Sequence, residues 1–161
     1  MAGLGRSLRK IFPMERRVLK VEKPSKNMIE WALDLAVSNI RQYCKSPLLR
    51  FSKYKSLTNR SNNYIFCYVG KEPAGFITFR FSKDTAYVFE LHVEENYRSQ
   101  GIGTLLLNEC KVQYNEIVGR VVLYVYRENT RGLEFYRRNG FEINKEYKCN
   151  KFYEMVLNKR D

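Results

Sequence analysis

The sequence predicts an α+β fold in which helices flank a central mixed, mostly antiparallel β-sheet. Three observations carry the prediction. Strand-like runs at 64–69, 75–81 and 85–93, separated by the turn residues Lys71-Glu72-Pro73 and Ser82-Lys83-Asp84, form an antiparallel meander. A glycine-bearing segment then leads into a helical pattern at 102–118 and a strand at 121–126, a β-α-β crossover that makes its two strands parallel. A short helix at 129–139 and strand-like runs at 141–147 and 152–157 close the chain as an α-β-β unit.

The other elements follow in order. Residues 1–16 are a basic arm, with Arg6, Arg9, Lys10 and Arg16 around Leu8, Ile11 and Phe12. A solvated, flexible tail is expected there, with an amphipathic arm or an import signal as alternatives. Residues 17–161 make a single domain that begins with a strand at 17–22. Pro24-Ser25 supplies a break and an N-cap for a helix through about residue 44, on which Met28, Ala32, Leu35, Ile40 and Tyr43 sit near helical spacing. Pro47 ends that helix. Residues 45–62 form a polar, basic connection holding either a short helix or a substrate loop. Gly119 and Gly140 stop the two later helices.

Composition supports one ordered domain, since 44 % hydrophobic and 14 % aromatic residues can bury a core. The net charge of +12, from 29 Lys and Arg against 17 Asp and Glu, suits polyanionic surroundings such as coenzyme phosphates, chromatin or ribosomes. A basic surface without a specific partner fits it equally. Cys44, Cys67, Cys110 and Cys149 lack CxxC or Cys/His spacing, so neither a metal site nor a disulfide framework is indicated. They read as thiols of a reducing compartment. No apolar run reaches the roughly 20 residues of a membrane helix. Nucleus and cytoplasm are the expected locations, and a monomer the expected state.

Arg98-Ser99-Gln100-Gly101-Ile102-Gly103 lies where a strand hands over to a helix. Glycines there let backbone amides approach a phosphate at the positive helix end, although an ordinary strand-to-helix turn has the same pattern. Alternation along 85–93 places Glu90, His92 and the following Glu94 on one face and Phe89, Leu91 and Val93 on the other. The pattern R-x-x-G-x-G after a strand, followed by Asn129, Phe135-Tyr136 and Gly140-Phe141, resembles the acetyl-CoA signature of the GNAT acetyltransferase superfamily. Within it the chain looks most like the N-terminal acetyltransferase D family, through Trp31-Ala32-Leu33-Asp34-Leu35 with Asn39 and Tyr43, through Phe79-Arg80-Phe81, and through the run from Tyr87 to Glu94.

The resemblance implies acetyl-CoA as cosubstrate, no metal, and direct transfer to the N-terminal amine of a protein, histone tails beginning Ser-Gly-Arg-Gly above all. Chromatin or ribosomes would then be neighbours, and a membrane would not. Leu91, His92 and Val93 would meet the pantetheine arm, with Asn129, and Arg98, Ser99, Gln100, Gly101, Ile102 and Gly103 would take the pyrophosphate. Glu90 matches the family's catalytic glutamate, the general base. An α-amine with a pKa of about 7.7 to 8.0 yields its proton to a carboxylate without an extreme shift. His92, the single histidine, is a proton relay or a hydrogen-bonded bystander. Tyr136 stands where relatives hold a tyrosine near the sulfur, as acid or orienting hydroxyl, or simply packs its ring. Tyr87 and Tyr153 match positions lining the peptide groove, Phe89 replaces a tyrosine, and Asp84 would pair with an arginine of the tail. The alternatives are transfer to lysine side chains or small amines, and a non-catalytic chromatin- or ribosome-binding module.

Overall fold

The computed structural model describes residues 16–113 and 118–159, so the basic arm, apart from Arg16, lies outside the described residues. The elements are β1 (Arg17–Val21), α1 (Lys26–Ile40), α2 (Leu49–Leu57), β2 (Asn63–Val69), β3 (Glu72–Ser82), β4 (Thr85–Val93), α3 (Ile102–Gln113), β5 (Arg120–Tyr126), α4 (Thr130–Arg138), β6 (Glu142–Ile143) and β7 (Phe152–Asn158). The strands form one sheet in the order β1-β2-β3-β4-β5-β7-β6. Only β4 and β5 run parallel, as the crossover through α3 requires.

One open alternative is decided and two expectations shift. The polar connection contains the helix α2, whose inward stripe is Leu49, Lys53 and Leu57. α1 stops at Ile40, because Tyr43 and Cys44 both donate their N–H groups to the Ile40 carbonyl and close the chain into a turn. The strand expected at 141–147 shrinks to Glu142–Ile143: the Asn144 side chain accepts the Glu146 N–H and turns the backbone away from β7.

Two apolar layers hold the sheet. On one face Leu106, Leu107 and Cys110 of α3 and Leu133 of α4 cover Ile77, Phe79, Val88, Leu123 and Met155. On the other face Ala32, Leu33 and Ala36 of α1 and Leu57 of α2 cover Phe66 and Phe76. Full burial of one such large side chain contributes about 1.5–3 kcal/mol.

Two irregularities of β4 position the site. Thr78 pairs with Glu90 but Phe79 pairs with Val88, so Phe89 is an extra residue, a β-bulge. Val88 before it and Leu91 and Val93 after it therefore all pack toward α3. Phe89 does not share their face as strict alternation predicts: it is 43 % exposed and lies under the Arg80 guanidinium, 3.8 Å from the ring centre. Secondly, β4 pairs with β5 only over Thr85, Ala86 and Tyr87, while β5 stays with β7 as far as Tyr126. Beyond Tyr87 the two parallel strands part.

Candidate active site

The parted edge of β4 ends at Val93 and leads through a 3-10 turn at Glu95–Tyr97 to the glycine loop and α3. The first N–H groups of a helix have no partner within it, so the start of α3 after the loop offers donors beyond the end of this edge. Ser99 and Gly101 have positive φ, +58° and +80°. Gly101 is required for that backbone, since a side chain there would meet only Arg17 Nη1, at 3.8 Å. Gly103 is required for another reason: a Cβ would stand 2.9 Å from the Phe135 ring, so it lets α3 and α4 close on each other. From the sequence Arg17 reads as a basic residue opening the first strand and not as a site residue. Its buried Nε has no hydrogen-bond partner among the described residues. Its Nη1 lies beside Gly101, and a guanidinium next to this loop suits an anion.

Glu90 lies where the strands part, 3 % exposed, on the α1–α2 side of the sheet. His92 Nε2 is 2.7 Å from Oε2, and Lys53 Nζ donates to Oε1 at 2.8 Å and Oε2 at 3.1 Å. Burial alone would raise the carboxyl pKa; the His92 hydrogen bond and the Lys53 charge outweigh it and hold the group below its ordinary value. The carboxylate is therefore ionised and able to accept a proton. Thr78, its cross-strand partner, brings a buried hydroxyl with no partner among the described residues.

The hydrogen bonds continue from His92 to the loop. Asn39 Nδ2 is 3.3 Å from His92 Nδ1, and Asn39 Oδ1 accepts Arg98 Nη2 at 2.6 Å. Arginine only donates, so it fixes which end of the Asn39 amide is oxygen, and the amide nitrogen must face the imidazole. His92 Nδ1 is then an acceptor and Nε2–H the donor to Glu90. Arg98 also donates through Nε to the Val93 carbonyl at 3.2 Å, which ties the loop to the free edge of β4. Glu94 is engaged as acceptor of the Trp31 indole N–H at 3.0 Å.

Tyr136, on α4, packs between the Phe135 and Phe141 rings, with centroids 5.1 and 5.6 Å away. Burial, then the Glu90 charge, pushes its hydroxyl well above the ordinary tyrosine range, so it stays protonated and can donate. Asn129 is the N-cap of α4, accepting the Gly132 N–H at 2.9 Å and the Tyr43 hydroxyl at 3.2 Å. Its side-chain oxygen is therefore already used within the fold.

Two residues expected in the acceptor groove are elsewhere. Asp84 lies in the turn at the closed end of the β4–β5 pair, where its carbonyl accepts the Gly119 N–H at 2.7 Å and its carboxylate accepts the Thr85 hydroxyl. Tyr153 pairs with the core residue Val125 and packs on the α3 side beneath the Arg127 guanidinium, so it faces away from Glu90. Tyr87, paired with Arg80 and Val122, does stand on the Glu90 face. The aromatic row on that face is Tyr124, Tyr126 and Phe152, with Glu154 accepting the Tyr124 hydroxyl at 2.7 Å. One residue of strand parity separates this row from the expected Tyr153. The cleft lined by Ala86, Cys110, Gly119, Asn139 and Leu157 lies at the closed end of the pair and shares no residue with the Glu90 cluster.

Known proteins are similar to this chain. The model of the acetyltransferase (GNAT) family matches residues 26–141. An uncharacterized N-acetyltransferase of Methanocaldococcus jannaschii is 34 % identical over 99 residues, 55 % of this chain and 43 % of the relative. The spermidine N(1)-acetyltransferase of Thermoplasma acidophilum is 29 % identical over 103 residues, 63 % of each chain. The match thus spans less than two thirds of either relative's length. Among solved structures, the PaiA N-acetyltransferase of Thermoplasma acidophilum in complex with coenzyme A superposes with a TM-score of 0.71 at 21 % identity, over 88 % of this chain and 99 % of that one.

Proposed function

The chain belongs to the acetyltransferase (GNAT) family, and from that premise we propose that it transfers acetyl from acetyl-CoA directly to a primary amine, with Glu90 as general base. The observation that carries the reading is the buried, ionised Glu90 at the point where β4 and β5 part, with the glycine loop at the end of the same strand. The residues present fit a thioester coenzyme: the open β4 edge offers backbone partners for a pantetheine arm, and the loop with Arg98 and Arg17 offers donors to a pyrophosphate. Acetyl-CoA supplies the activated acetyl group. Glu90 takes the proton of the attacking amine, His92 holds the carboxylate in place, and the Tyr136 hydroxyl is the donor for the departing thiolate.

For the acceptor we propose the α-amine of a peptide laid along Tyr87, Tyr124 and Tyr126, aromatic side chains that contact an extended chain at low entropic cost. With Asp84 and Tyr153 off the Glu90 face, what supports a preference for tails beginning Ser-Gly-Arg-Gly is the resemblance of 31–35 and 87–94. A second reading is favoured by one observation: Glu154 places another carboxylate on the site face, as a polyamine cation would need. The test is transfer from labelled acetyl-CoA to a free-amine peptide, its α-blocked counterpart and spermidine. Label on the free-amine peptide alone is the expected result; label on spermidine alone selects the polyamine reading, and label on none of them overturns both.

A further inference from the structure

Lys53 occupies a position that neither helix propensity nor core packing explains. It is the middle residue of the inward stripe of α2, between Leu49 at 4 % and Leu57 at 0 % exposure, and its own side chain is 19 % exposed. A lysine on such a stripe is rare unless it is paired. Its Nζ reaches both oxygens of Glu90, and it comes from the α1–α2 side, the side on which the aromatic row also lies. An acceptor amine has to stand at this same place, within hydrogen-bond distance of the base. In the free protein the place is filled by a primary amine of the chain itself.

We propose that Lys53 is an acetyl acceptor, so that with acetyl-CoA and no other amine the protein acetylates its own Lys53. The inference rests on the reading of the site as an acetyl-CoA-dependent transferase. Glu90 takes one proton from the Lys53 ammonium, and the freed lone pair forms a bond to the thioester carbonyl carbon. The carbon–sulfur bond then breaks, and its electron pair leaves with sulfur. Tyr136 gives that sulfur its hydroxyl proton, making the free thiol of coenzyme A, and takes back a second nitrogen proton; the third stays on the amide. The proton held by Glu90 passes to solvent. The modified side chain is neutral, so it no longer holds Glu90 by charge.

The experiment uses the full chain with labelled acetyl-CoA alone, followed by mapping of the label to peptides, and in parallel the same protein with a free-amine peptide and with spermidine added. Label is expected on Lys53 ahead of the exposed lysines, at a rate constant independent of protein concentration. Glu90→Gln should slow that labelling at least about 100-fold, the low end of base catalysis, while the exposed lysines label as before. Lys53→Arg should lose it entirely, with thermal melting of each variant establishing that it is folded. Acetylation of an added amine without label on Lys53 overturns this proposal and leaves the transferase reading standing; no transfer to any amine overturns both. Equal labelling of Lys53 in Glu90→Gln means uncatalysed chemistry and also overturns it. So does label that hydroxylamine removes, which would be a thioester on Cys44, whose thiol is lowered first by a Ser46 backbone hydrogen bond and further by the Lys151 and Lys53 charges.

Discussion

Glu90 keeps its charge in a buried place because donors reach both carboxylate oxygens: Lys53 spans the two and His92 reaches Oε2. Its native pKa lies below the unfolded value of 4.5. A depressed carboxyl stabilises the fold at pH values above the unfolded pKa and loses that contribution as pH falls through the native one. Melting curves of wild type and Glu90→Gln should therefore differ most near neutrality, with wild type the more stable, and converge below about pH 4.5. A constant gap down to acid pH would remove the ion pair from the account. The same substitution should lower kcat by about 10²–10⁴-fold, the range for loss of a positioned base, with coenzyme affinity nearly unchanged because the loop contacts lie elsewhere. His92 provides a spectroscopic check, being the single histidine. Nitrogen NMR of its imidazole should show the Nε2–H tautomer that the ionised Glu90 and the Asn39 amide require; an Nδ1–H signal would refute it.

At the scale of elements, the bulge at Phe89 and the early parting of β4 from β5 convert an ordinary strand into a site. The bulge lets Val88 stay in one core layer while Glu90 turns to the opposite side two residues later, which regular alternation forbids. The two loop glycines then make separable predictions. Gly101→Val forces a β-branched residue to φ +80°, costing about 1–2 kcal/mol in backbone strain, and should weaken coenzyme binding. Gly103→Val drives a side chain into the Phe135 ring and should cost about 1–3 kcal/mol of stability. Phe135→Leu should restore part of the second loss and none of the first. Titration of coenzyme A and thermal melts on the variants decide it, and a Gly103→Val protein of unchanged melting temperature would refute the packing role.

For the whole molecule, the charge of +12 sets the field in which a polyanionic coenzyme approaches. Screening shortens from about 10 Å at 0.1 M salt to about 3 Å at 1 M. The dissociation constant for coenzyme A should accordingly rise with salt, and Arg17→Gln should flatten that dependence; an identical slope would exclude Arg17 from the phosphate site. The meander, the parallel crossover and the glycine-flanked start of α3 were legible in the sequence, because period-2 alternation, turn residues and a glycine-flanked helix start are local signals. Lys53 left a local trace too, as a lysine between two leucines at four-residue spacing, which reads as a site only once α2 is known to be a helix. Asp84, Tyr153 and Phe89 could not be placed from sequence. Their positions depend on which face of a strand is buried and on one extra residue in β4, and both are fixed by register across the sheet. The sequence by itself determined the fold and the strand that carries Glu90. The tertiary structure alone decided what surrounds that carboxylate, since Lys53 reaches it from 37 residues away, while Asn39 meets His92 across 53 residues and Arg98 across 59, and such contacts follow from packing rather than from any local pattern.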